Sequence, residues 1–308
     1  MAGYVDLQVN GYAGVDFNAD RVTTEQAIAA SRRLLADGVQ GILATIITAP
    51  LDRMIARIGR VADWIDQLPE VSRVILGIHI EGPFLNPAEG FIGAHPAGST
   101  TPAERGIVDR LLAAGRGHVR VMTLAPEMDA NAKVTQSLTE SGIVVAAGHS
   151  DASIEQLRQG IDHGLKLFTH LGNGCPGMLP RHDNIIQRVL SLSDALSVSF
   201  IADGHHVPAP ALRNYLDRVP TENIVIVTDA ISAAGLGPGR YQLADQVVEV
   251  DPDGAAWSAC RTHFAGCAST FPQMVDFLKK EVGATQTNLE RWLKRNPARL
   301  LGIEPPEG

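Results

Sequence analysis

The chain has 308 residues, 45% of them hydrophobic, with a formal net charge of −8 and three cysteines. That length and apolar fraction allow one large core and argue against disorder, and the acidic balance argues against a nucleic-acid-binding surface as the main role. The sparse cysteines (Cys175, Cys260, Cys267) fit reduced thiols in a cytoplasmic protein. No signal-like segment follows Met1, and no apolar run approaches the ~18 residues that a membrane span needs.

In chain order, YVDLQV (4–9) predicts a buried strand and 24–37 a helix. GILATI (41–46) and a helix over 51–67 follow, then RVILGIHI (73–80) and 101–114, HVRVMTL (118–124) and 130–141. The alternation continues with GIVVAAG (142–148) and 153–163, LKLFTH (165–170) and 184–192, LSVSFIA (196–202) and 209–218, and closes on NIVIVTD (223–229). Strands alternating with amphipathic helices are the rhythm of a parallel sheet. The expected fold class is α/β: a (β/α)8 TIM barrel, with a doubly wound open sheet as the competing architecture. TTPAER predicts an N-cap at Thr100 or Thr101 with Pro102 in the first turn, and SDASIEQL predicts one at Ser150, Asp151 or Ser153. Beyond Asp229 the pattern changes to period-2 pieces around DPDG, a hairpin signal. We therefore expect one barrel domain over 1–308, with a hairpin insertion near 237–266 and C-terminal helices within 270–296.

Polar residues recur where strands end: Gln8 and Asn10, His79 and Glu81, His149, His170 and Asn173, His205 and His206, and Asp229. In a closed barrel these ends converge on one face, where active sites are built. A Glu and two His from different strands make a borderline-soft site for a divalent metal. Asp229 is suited to moving a proton to and from a reacting group. His79 lies two residues before Glu81, on the same side of its strand, and is expected to support the site from behind. Cys175 reads as a small buried hydrophobe, while His163, His182 and His205 read as surface or packing residues.

The ordered set DLQVNGYAGVDFN, HIEGPFLNPAEGFIGAHPAG, GHSDA, THLGNGCPGM, ADGHHV, VTDAISAAG, FAGCAST and NPARLLGI resembles the N-acetylglucosamine-6-phosphate deacetylases of the amidohydrolase superfamily, over nearly the whole chain. The resemblance implies hydrolysis of the N-acetyl group of N-acetylglucosamine 6-phosphate. It implies Glu81, His149 and His170 as ligands of one divalent metal (zinc first; iron, cobalt or manganese as alternatives), Asp229 as acid/base, and His95 with the Ala94 backbone at the acetamide. It further implies substrate contacts from Asn173, Gly174, Arg181, Asp203, His206, Phe264, Ala265 and Gly266. The partner it implies is a small amino-sugar phosphate, bound by a homodimer in which phosphate contacts can come from the neighbouring subunit. Some members carry His-x-His on the first strand and hold two metals. Gln8 and Asn10 place this sequence with the form that holds one, their amides hydrogen-bonding around the site.

Two departures stand out. Cys267 occupies a position where the family has Ser. Members also carry about fifty residues before the first barrel strand and more after NPAR, which together build a small β-sandwich, so a small or absent sandwich is expected here. Competing readings are a deacetylase for N-acetylgalactosamine 6-phosphate or unphosphorylated N-acetylglucosamine, an N-acyl-amino-acid hydrolase, and a non-catalytic sugar-phosphate binder. The last would not need Asp229.

Overall fold

The computed structural model describes residues 3–306. Eight strands lie side by side in chain order: β1 (Tyr4–Val9), β2 (Val39–Ile47), β3 (Ile75–Glu81), β4 (Val119–Leu124), β5 (Val144–Ala147), β6 (Leu165–Phe168), β7 (Ser197–Ile201) and β8 (Ile224–Val227). Every neighbouring pair is parallel. Spatial order that follows chain order without reversal excludes the doubly wound sheet. The strands are apolar runs with both faces covered, as parallel strands require; all four residues of β8 are buried. Helices α1 (Thr24–Ala36), α2 (Leu51–Gln67), α3 (Arg105–Gly115), α4 (Lys133–Glu140), α5 (Ile154–Asp162), α6 (Ile185–Ser191) and α7 (Ala209–Arg218) connect them. α2 shows why they dock: Met54, Ile58, Val61 and Ala62 recur at helical spacing and are buried, a stripe facing the sheet. Thr23 with Gln26 and Ser153 with Gln156 form capping boxes, each satisfying backbone donors that a helix start leaves unpaired.

β1 and β8 meet at a seam that side chains help to close. Asn10 N and Gly11 N donate to Ala230 O at 2.7 and 3.1 Å. Below them, the buried Asp6 carboxylate accepts from the Thr228 hydroxyl at 2.5 Å and from Thr228 N at 3.2 Å. Burial pushes Asp6 up to about 7 against these hydrogen bonds. A carboxyl raised in the folded state contributes stability that is complete below its unfolded value of 3.8 and is lost as pH rises through about 7. Asp6→Ala is therefore expected to cost about 2–4 kcal/mol at pH 5, from lost bonds and an orphaned Thr228, and less at pH 8. Urea unfolding at the two pH values checks this; an equal cost at both would contradict it.

Two helix starts differ from expectation. α3 begins at Arg105, not at Thr100 or Thr101, and its N-cap residue Glu104 makes no side-chain cap. The amides of Thr101 and Ala103 are instead taken by Pro83 O (3.1 Å) and Met128 O (2.8 Å), which hold the segment extended. α4 begins at Lys133 because Asn131 and Ala132 are left-handed (φ 57° and 53°), with the Asp129 carboxylate accepting from Val134 N and Thr135 N.

The insertion forms three antiparallel strands, β9 (Gly239–Leu243), β10 (Gln246–Val250) and β11 (Ala256–Ser258). The expected turn around DPDG joins β10 to β11, and a second, tighter turn at Ala244–Asp245 joins β9 to β10. This flap has a small core of its own, including Leu243, Val248, Val250 and Ala265, against Ile47 and Ile231. Its tip is pinned by Arg53, whose guanidinium meets Asp245 (2.6 Å) and Asp20 (2.8 Å). Helical turns over Phe271–Phe277, Leu278–Val282, Gln286–Glu290, Arg291–Arg295 and Asn296–Leu301 follow. Among the described residues the sheets beyond the barrel are this flap and a two-residue ribbon, Gly11–Tyr12 with Val15–Asp16, and no helix is long and apolar enough to cross a membrane.

Candidate active site and metal centre

Glu81 ends β3 and is 2% exposed. Its Oε1 accepts from Gln8 Nε2 at 2.9 Å and lies 3.0 Å from His170 Nε2 and 3.5 Å from His149 Nε2; its Oε2 lies 3.8 Å from His95 Nε2. Gln8 is oriented in turn by Thr169, whose hydroxyl donates to Gln8 Oε1 at 2.6 Å. The amide on β1 thus fixes the carboxylate from below.

His149, His170 and Asp229 follow the ends of β5, β6 and β8, and all three have positive φ: 51°, 33° and 51°. Non-glycine residues rarely adopt this backbone, which costs of order 1–3 kcal/mol each and clusters at functional sites. The chain turns sharply there instead of continuing the strand. His149 is clamped by two glycines: a Cβ on Gly174 would come within 2.8 Å of its ring, and one on Gly93 within 3.1 Å.

The electrostatics describe a centre that wants a cation. His149 Nδ1 donates to Phe91 O at 2.8 Å, which leaves Nε2, 3.5 Å from Glu81 Oε1, as the ring nitrogen placed to ligate, the usual arrangement of a ligating imidazole. Burial opposes charge on His170, yet its hydrogen bond to Glu81 and the fields of Glu81 and Asp229 prevail and hold it above its ordinary value. Burial also opposes charge on Glu81, but His149 and His170 hold it well below the usual carboxylate range. Both shifts favour positive charge beside the carboxylate, where a divalent ion would sit. Glu81, His95 and His149 also form a ligand-spaced group, so three imidazoles face one carboxylate. The donor set fits a borderline metal.

Asp229 is held by Asn10, whose Nδ2 donates to Oδ1 at 2.7 Å. Burial, then the Glu81 carboxylate, push Asp229 up to about 6. His95 is pushed down to about 3 by burial and the adjacent His149, so at neutral pH its imidazole is uncharged. His79 donates or accepts at Leu7 O (3.1 Å) and Thr123 Oγ1 (2.7 Å). Both of its nitrogens are engaged away from the cluster.

These groups line a cavity of about 380 Å³ together with Ala94, Asn173, Gly174, His206, Phe264 and Gly266, a size ordinary for small-molecule sites. Asp203 stands behind His206: its Oδ2 lies 2.7 Å from His206 Nδ1, and its Oδ1 accepts the backbone N–H of His205 and His206. Asp203 is thus outside the cavity wall, and two more of the expected contacts lie elsewhere. Arg181 is exposed and outside the cavity wall. Ala265 is fully buried in the flap's core, its N–H donating to Ala256 O. Sequence reasoning missed the flap's own contribution to the wall, Leu243, Trp257, Thr262 and His263, and also Cys175. A Trp and a His-Phe pair flanking a predicted hairpin were the available signal.

A (β/α)8 barrel whose strand ends gather a Glu/His metal centre beside a buried Asp is the arrangement of metal-dependent amide hydrolases. The chain is 33% identical to N-acetylglucosamine-6-phosphate deacetylase of Bos taurus over 99% of its length and 75% of that protein's. It is 31% identical to N-acetylgalactosamine-6-phosphate deacetylase of Escherichia coli O157:H7, over 98% and 78%. Among solved structures it superposes with TM-score 0.89 and 28% identity on a mutant N-acetyl-D-glucosamine-6-phosphate deacetylase from Mycobacterium smegmatis in complex with N-acetyl-D-glucosamine-6-phosphate, covering 99% of this chain and 78% of that one. The Thermotoga maritima deacetylase gives 0.85 and 29%, over 98% and 78%. The chain matches no family model. It belongs to the N-acetylglucosamine-6-phosphate deacetylase family.

Proposed function

We propose that the chain hydrolyses N-acetylglucosamine 6-phosphate to glucosamine 6-phosphate and acetate, using one zinc ion held by Glu81, His149 and His170. The observation that carries the reading is the meeting of His149 and His170 within 3.5 Å of one Glu81 carboxylate oxygen, beside a buried Asp229 in a chain of this family. When bound, a divalent cation supplies Lewis-acid chemistry to an amide carbonyl and to a water molecule.

The chain's own groups do the rest. Asp229 takes a proton from the attacking water as its oxygen bonds to the carbonyl carbon, and delivers a proton to the amine nitrogen as the C–N bond breaks. Asn10 holds the Asp229 carboxylate in place meanwhile. His95, neutral under burial, donates an N–H to the carbonyl oxygen as charge develops there. Asn173, Gly174 and His206 bind the sugar phosphate, with Asp203 orienting His206, and Phe264, Ala265 and Gly266 form the segment that closes over it. Arg181, exposed on the segment after β6, serves the phosphate bound by the partner in a cytoplasmic homodimer.

Acetate release on N-acetylglucosamine 6-phosphate, N-acetylgalactosamine 6-phosphate and unphosphorylated N-acetylglucosamine tests the reading. The first is expected to give the highest kcat/KM. A higher value on either of the others would replace the substrate assignment.

A further inference from the structure

An anionic substrate needs donors at its charged end, yet the described residues lining the cavity include no Lys or Arg. The flap side of the wall holds an unused donor. His263 is half-buried and lines the cavity; its Nε2 is buried and has no hydrogen-bond partner. A buried polar nitrogen left so is costly unless a ligand meets it.

The rest of the ring is fixed. Nδ1 lies 3.0 Å from Thr262 Oγ1, which lies 3.0 Å from Cys260 Sγ, itself 3.3 Å from Ser258 Oγ. His263 O accepts from Ser258 N at 3.0 Å, tying its backbone to β11. Where the Cys260 thiol donates to the Thr262 hydroxyl and that hydroxyl donates to Nδ1, the single proton of the neutral ring sits on Nε2, the nitrogen that has no partner. Burial favours that neutral form. No hydrogen bond joins His263 to Glu81, Asp229 or the imidazoles around them. Its neighbour Phe264 instead packs on His206, ring centroids 4.8 Å apart, which sets the His263–Phe264 segment beside the histidine assigned above to the sugar phosphate.

We propose that His263 is a substrate-binding residue whose Nε2–H donates to the phosphate of the substrate, with Thr262 as the positioning residue that sets its tautomer. The inference rests on the substrate reading above and adds a contact from the flap that selects for the phosphorylated sugar.

The test compares KM and kcat of the metal-loaded protein and its variants on N-acetylglucosamine 6-phosphate and on the unphosphorylated sugar. His263→Ala is expected to raise KM about tenfold for the phosphorylated substrate, the loss of one charge-assisted hydrogen bond, with kcat and the unphosphorylated KM within about twofold. Thr262→Val should raise the same KM about threefold by freeing the tautomer, and His263→Gln, which keeps an N–H donor, should lie close to wild type. The two milder variants carry the test if His263→Ala fails to fold. Unchanged KM in His263→Ala, or equal rises for both substrates, overturns the proposal. Wild-type protein that releases no acetate from the phosphorylated sugar overturns the substrate reading instead.

Discussion

Asp229→Asn is expected to lower kcat about 10³-fold, within the range that general acid–base catalysis supplies, while KM changes by less than about threefold. The side chain is buried and has one named partner, Asn10 Nδ2 at 2.7 Å. Asn is isosteric and its carbonyl oxygen can still accept that bond, so the fold and the cavity should persist. What disappears is the ability to take up a proton. Burial and Glu81 raise Asp229 to about 6, close enough to neutrality for a group that must first accept and then return one. Wild-type kcat/KM should therefore rise with pH through the titration of Asp229, since the base form is the ionised one. In Asp229→Asn that acid limb should vanish along with the rate. A variant retaining a tenth of the activity, or the same acid limb, would show that another group moves the proton.

Glu81→Gln is expected to have the other large effect. One carboxylate oxygen faces His149, His170 and the Gln8 amide. The neutral amide removes the only negative charge in direct contact with the imidazoles and turns an acceptor-only group into a partial donor. Metal affinity should fall at least about 100-fold, since even changes outside the ligand shell cost 10–100-fold, and activity at equal total metal should fall with it. His170, held above its ordinary value through Glu81, would lose that support as well. Metal titration followed by acetate release at saturating metal separates the two outcomes. Full activity with unchanged affinity would remove Glu81 from the centre.

The barrel was legible because parallel strands are covered on both faces and read as short apolar runs, such as IVIV in β8. The gathering of Glu81, His149, His170 and Asp229 was legible because polar residues recurred just where those runs ended. The backbone at those residues was not, because positive φ at His149, His170 and Asp229 has no signature in residues that normally avoid it. The start of α3 was misplaced because Thr101 and Ala103 give their amides to distant carbonyls, Pro83 O and Met128 O respectively, a tertiary demand that outweighs a good local cap. The flap was the largest gap. Its alternation predicted strands, but which face of Trp257–Phe264 meets the cavity depends on how β9 to β11 pack on Ile47 and Ile231. That packing buries Ala265 away from the cavity and turns His263 toward it.

Metal content is the most direct measure of the centre built on Glu81, His149 and His170. Protein stripped with a chelator and titrated with zinc should bind one ion per chain, because Gln8 and Asn10 are engaged as neutral amides with Glu81 and Asp229. Acetate release from N-acetylglucosamine 6-phosphate should appear in proportion to that single ion. Two tightly bound ions per chain, or full activity in the stripped protein, would contradict it.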